Sequence, residues 1–209
     1  TTLNSNGPLS GTLHLEAEGQ SDAAIRGFFT RNPVSKWYAY VERQITGVDP
    51  AAKIKSLDYG DPYDYSNPIQ INIEFEIPHY ATQANGKLYV NPLSTQPLFM
   101  AANYHRNFSG NIKERKYAFK DRCSRLVNIK ETMQLPANIS TAKVPDDAEG
   151  RSSAADYNLS YQQKNNTLVM SQRLSFKKRV YKASEWPGYK NAIMAQKKFE
   201  NKPVIITLK

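Results

Sequence analysis

Cysteine is almost absent. One Cys in 209 residues excludes an internal disulfide and any multi-thiolate metal site. Histidine is scarce as well: His14, His79 and His105 stand alone, without the close pairs that zinc sites bring. The acidic pairs Asp61/Asp64 and Asp146/Asp147 fall in loop-like stretches with Gly or Pro and lack a D-x-D-x-D-G frame. There is no Gly-rich phosphate loop and no G-x-S-x-G elbow. Apolar runs fall far short of the ~20 residues a membrane helix needs. No metal, no cofactor and no membrane span is therefore expected.

What is present is a globular composition, 40% hydrophobic and 22% charged with 13 Tyr, enough at this length for a sizeable core. The net charge of +9 requires an anionic partner to be considered. The opening "TTLNSNGPLSG" has no Met and reads as a polar interdomain linker, which predicts a fragment of a longer protein.

The first third mixes helix and strand. "GTLHLEAEG" alternates with Leu13 and Leu15 on one face. Ser21 is placed to cap a helix carrying Ala24, Ile25, Phe28 and Phe29 on one side. Val34, Trp37, Tyr38, Val41 and Ile45 then predict an amphipathic helix stopped by Gly47.

From Ile69 the pattern is β. "IQINIEFEI" alternates throughout, the mark of an antiparallel strand with one buried face. Asn85-Gly86 predicts a tight turn. "RLVNIKETMQLP" aligns Val127, Ile129, Met133 and Leu135, and Ala155–Tyr161 with Leu168–Phe176 predicts a hairpin around "QKNN". At the end, Ser184 reads as an N-cap, Pro187 sits in the first turn, and Tyr189, Ala192, Ile193 and Phe199 form a stripe. "PVIITLK" is expected to lie beside the hairpin.

The fold class expected is α+β, mainly antiparallel and sandwich-like, with the C-terminal helix packed on the sheet. The division expected is a small α+β part over residues 1–66 and an antiparallel β domain over residues 67–209.

The order of motifs resembles the C-terminal domain, a domain of unknown function, of secreted bacterial transglutaminase-like proteins. The resemblance rests on "GTLHLEAEGQSDAAIRGFF" with Arg26, Pro78 to Ala81 after a strand, Leu135-Pro136 with Asn138, and "YKASEWPGYK…IITLK". It implies an upstream transglutaminase-like core in the same chain, holding the family's catalytic Cys, His and Asp, and a periplasmic, envelope or secreted location. No catalytic residue carries over to this sequence.

Cys123, in "FKDRCSRLV", is the sole thiol, with basic neighbours Lys120, Arg122 and Arg125 but no recognisable base, and is expected to be structural. Arg106 to Lys130 carries eight Lys/Arg and Arg173 to Lys209 carries ten. Their aromatics fall on apolar strand faces, so nucleic acid is not the expected partner. The candidate partner-binding residues are Tyr59, Tyr63 and Tyr65 in "DYGDPYDYSNP", with Trp186 at the start of the last helix. The expected function is a non-catalytic accessory or interaction domain of a transglutaminase- or protease-like envelope protein. The alternative is a module that binds glycan or another anionic polymer.

Overall fold

A computed structural model describes residues 1–209. The fold is α+β and mostly antiparallel, as expected. In chain order the first elements are β1 (Thr2–Leu3), β2 (Leu9–Ala17), α1 (Gly19–Arg31), α2 (Trp37–Thr46) and β3 (Lys53–Asp58). Next come β4 (Ile69–Ile77), β5 (Thr82–Ala84), β6 (Lys87–Val90), β7 (Phe119–Lys120), β8 (Arg125–Gln134) and β9 (Ile139–Lys143). The chain closes with β10 (Ala148–Arg151), β11 (Ala155–Lys164), β12 (Thr167–Phe176), β13 (Val180–Tyr181), α3 (Trp186–Glu200) and β14 (Val204–Leu208).

Eight strands form one sheet in the order β10-β11-β12-β8-β1-β2-β4-β3. The opening residues are not a linker here: β1 joins the two halves of this sheet, antiparallel to β2 and parallel to β8. Leu3 and Leu9 flank the turn between β1 and β2 and are both buried, which anchors the polar start in the core. The expected division at 66/67 falls between β3 and β4, which pair with each other, and β2 pairs with β4 along its full length.

β4 buries Ile69, Ile71, Ile73, Phe75 and Ile77, matching its alternation. The predicted hairpin forms, with Ala155 opposite Phe176 and Lys164 opposite Thr167, and its two-residue turn places Asn165 at φ 52°. Asn85 and Gly86 both take positive φ, 50° and 71°, as a two-residue type I′ hairpin requires.

Three local expectations are corrected. The helix α1 starts at Gly19, whose φ of +55° turns the chain out of β2, and Ser21 does not cap it. The Ser21 hydroxyl instead donates to the Ala102 carbonyl and accepts from Arg125. In α2 and the turn before it, only Trp37, Val41 and Ile45 are buried, whereas Val34 and Tyr38 point outward. Ser184 is not the cap of α3: a short 3-10 turn over Ala183–Glu185 leads in, and the Glu185 carboxylate accepts from the Lys182 N–H at 2.9 Å.

The stripe of α3 is buried as expected, Ile193 and Phe199 contributing about 1.5–3 kcal/mol each. Phe199 stacks on Tyr161 of β11 and Tyr189 meets Phe176 of β12, so the helix covers the sheet. β14 does not lie beside the hairpin. It pairs with β6 and β9 in a separate four-stranded sheet, order β5-β6-β14-β9. A turn from α3 carries it away from β12, and Val204 and Ile206 still face the shared core.

Candidate functional site

The tyrosine-rich loop between β3 and β4 is held from below by one guanidinium. Arg26 grips Asp22, one turn earlier on α1, with Nε and Nη2, both at 2.8 Å. Nη1 donates to the carbonyls of Pro62 and Asp64, and Nη2 also donates to that of Asn67, each at 2.9 Å. All five N–H groups of the side chain are thus used. Asp22 in turn accepts from the Ile69 N–H at 2.7 Å, which ties the loop's exit to the same pair. The Arg26 hydrogen bonds hold the Asp22 carboxyl below its ordinary range against the opposing effect of burial.

The loop also closes on itself. Asp61 accepts from the Tyr63 N–H, and Asp64 accepts from the Ser66 N–H, the Ser66 hydroxyl and the Asn67 amide. These bonds, the Ser66 hydroxyl first and then the Asn67 amide, pull the Asp64 carboxyl down to about 2. Asp61 and Asp64 are therefore turn-forming groups, not a cation cage.

On this support the three tyrosines separate. Tyr59 folds inward against Phe29 and Trp37, at 5.4 and 5.6 Å between centroids. Tyr63 leans on Trp37 at 6.3 Å yet stays 55% exposed. Tyr65 lies over the Arg26 guanidinium and is 72% exposed. Trp37 beneath them is fixed by its indole N–H to the carbonyls of Phe29 and Asn32. Val34, in the turn before that helix, and Tyr38, in its first turn, are exposed too.

Trp186 stands elsewhere and is fully buried, packed edge-on against Phe119 with its indole N–H donating to the Ile112 carbonyl. It presents no surface to a partner.

The residues with chemical potential are engaged in the fold. Cys123 is half-buried in the turn before β8, since that strand begins only at Arg125. Its basic neighbours point away: Arg122 lies over Tyr104 at 3.8 Å and Arg125 reaches Ser21 and the Ala102 carbonyl. His14 pairs across strands with Asn72, while His105 is buried with Nε2 3.0 Å from the Gln196 side-chain oxygen. Burial drives the His105 pKa down to about 3, so it stays neutral. No three His, Cys, Asp or Glu side chains gather as a metal site.

Sequence reasoning missed the buried polar set beneath α3. Gln196 bridges His105, Gln172 and Glu200, and Glu200 accepts from Arg106 at 2.6 Å. Burial raises the Glu200 pKa, and the Arg106 charge opposes it. Arg125 and Glu131 sit on the inward face of β8, and Glu131 accepts from the Ser94 N–H and hydroxyl. A signal existed: Arg125, Glu131, Gln172, Gln196 and Glu200 each occupy an apolar-face position of an otherwise regular pattern.

A family model, that of a Domain of Unknown Function with solved-structure structure (DUF3858), matches residues 86–206. No curated protein and no solved structure matches the chain. The matched span runs from the β5–β6 turn to β14. It contains Trp186 but not the tyrosine loop.

Proposed function

The chain belongs to the DUF3858 family, a domain of unknown function, and we propose that it is a non-catalytic interaction domain. Its partner in this reading is a transglutaminase- or protease-like core of the same polypeptide, in the periplasm or cell envelope. The observation that carries the reading is the exposed tyrosine surface of Tyr63 and Tyr65, immobilised by Arg26 and Trp37. Rigid, amphipathic aromatics lose little entropy on association and dominate protein interfaces. The resemblance in motif order supplies the identity of the partner, and the tying of Cys123's basic neighbours and of His14 and His105 into structural contacts supports a binding role.

The test is association between the separately produced core and this chain, measured by calorimetry. A Tyr63→Ala/Tyr65→Ala variant is expected to bind about tenfold or more weakly, about 1.4 kcal/mol or more, with an unchanged thermal midpoint. Undiminished binding by the double variant, or no association of the wild-type chain, overturns the proposal.

A further inference from the structure

A cleft of about 380 Å³ opens between the α2–β3 turn and the four-stranded sheet, within the range of ~300–1,000 Å³ usual for small-molecule sites. Its walls come from stretches far apart in sequence: residues 48–50, 79–82, 89–96 and Pro203. His79, Tyr80, Tyr89, Asn91 and Gln96 are among its lining residues. The Tyr80 hydroxyl donates to the Asn91 carbonyl at 2.5 Å, which binds the segment after β4 to the segment after β6.

The charge of the cleft narrows its ligand. The chain carries +9, yet no Lys or Arg lines this cavity. An anion would meet Asp49 and no cation. A metal or ammonium ion would meet that single carboxylate, one oxygen of which already accepts from the Ala51 N–H at 2.8 Å. A neutral polyhydroxylated ring suits the tyrosine and the Gln96 amide: an apolar ring face can lie against the one, and a hydroxyl can pair with the other.

We propose that this cleft binds a neutral saccharide unit, with Tyr89 as the stacking ring and Gln96 as a hydrogen-bonding group. The site shares no residue with the tyrosine loop, so each stands or falls alone. It separates glycan from anionic polymer, two ligands the sequence left together.

The experiment is an amide-shift NMR titration of the full 209-residue chain with chitotriose and cellotriose, against a heparin hexasaccharide as the anionic arm. Shifts at Asp49, Tyr80, Tyr89 and Gln96 with a neutral trisaccharide, about tenfold weaker in Tyr89→Ala, are the expected result. Gln96→Ala, on the cleft rim, provides a second variant should Tyr89→Ala lose its fold, and its binding is expected to weaken as well. The proposal is overturned if neither neutral sugar shifts these amides, if only heparin binds, if the shifts fall elsewhere, or if folded variants bind as wild type.

Discussion

Two aromatic clusters in this molecule contain the same residue types stacked in opposite order. Around the β3–β4 loop the arginine lies inside and tyrosines outside: Arg26 is buried and Tyr65 covers it. Around the start of α3 the aromatics lie inside, with Phe119, Tyr181, Trp186 and Tyr189 all buried. There a half-buried arginine forms the outer layer, Arg115 lying 4.6 Å over Phe119 and 4.3 Å over Trp186. A guanidinium is planar and weakly hydrated, so it can serve as floor or as lid. Which role it takes depends on the supply of carbonyl oxygens. Arg26 meets three of them plus a bidentate carboxylate, whereas the Arg115 Nε has no partner. The first arrangement leaves tyrosines facing solvent on a fixed base. The second makes a dry core.

The largest effect on this contrast is expected from Arg26→Ala. It leaves Asp22 with only the Ile69 N–H, and three loop carbonyls without their donor, in a partly buried place and should cost about 3–5 kcal/mol, read as a lower denaturation midpoint. Arg26→Lys should fail to rescue it, because one ammonium cannot span the five bonds. A midpoint close to wild type in either variant would show that the loop holds itself.

Tyr189→Phe probes the inner cluster. The Tyr189 hydroxyl donates to the buried Asp121 carboxylate at 2.7 Å, and its loss should cost about 1.5–3 kcal/mol in chemical denaturation. Burial comes first and the Asp121 bond second in raising the Tyr189 pKa, so this phenol remains a donor through neutral and mildly alkaline pH. Arg115→Ala removes only the lid and should cost about 0.5–2 kcal/mol, with a change in Trp186 fluorescence as water reaches the indole.

The smallest effect is acid loosening of the tyrosine loop. The Asp64 carboxyl is held at about 2 against its ordinary 3.8, chiefly by Ser66 and Asn67. A carboxyl lowered on folding stabilises fully above its ordinary pKa and loses that contribution as pH falls through the folded value. The protection factor of the Ser66 amide, its exchange rate divided into the intrinsic rate at each pH, should therefore fall between pH 3.8 and about 2 and remain constant above that window. A constant protection factor down to pH 2 would mean that Asp64 does not brace the turn.

Strand β4, the hairpin β11–β12, the Asn85-Gly86 turn and the α3 stripe were legible because each follows from local periodicity or turn chemistry. The candidate surface was half legible. The tyrosines drew notice as aromatics among turn residues, but Tyr59 turns inward and Tyr65 outward for a reason written on α1, at Arg26. Trp186 drew the same notice and is buried, since its exposure depends on Ile112 and Arg115, more than 70 residues away in sequence.

Sequence alone determined the class of fold, the strands with one wet face and the closing helix, because side-chain periodicity and hydrophobic burial act within a few residues. Only the tertiary structure decided that β1 unites the large sheet, that β14 joins β6 and β9, and that the cleft of Tyr80, Tyr89 and Asn91 exists. Strand partners and cavities depend on groups brought together across the whole chain. Long-range contacts of that kind leave no periodic trace in the residues that make them.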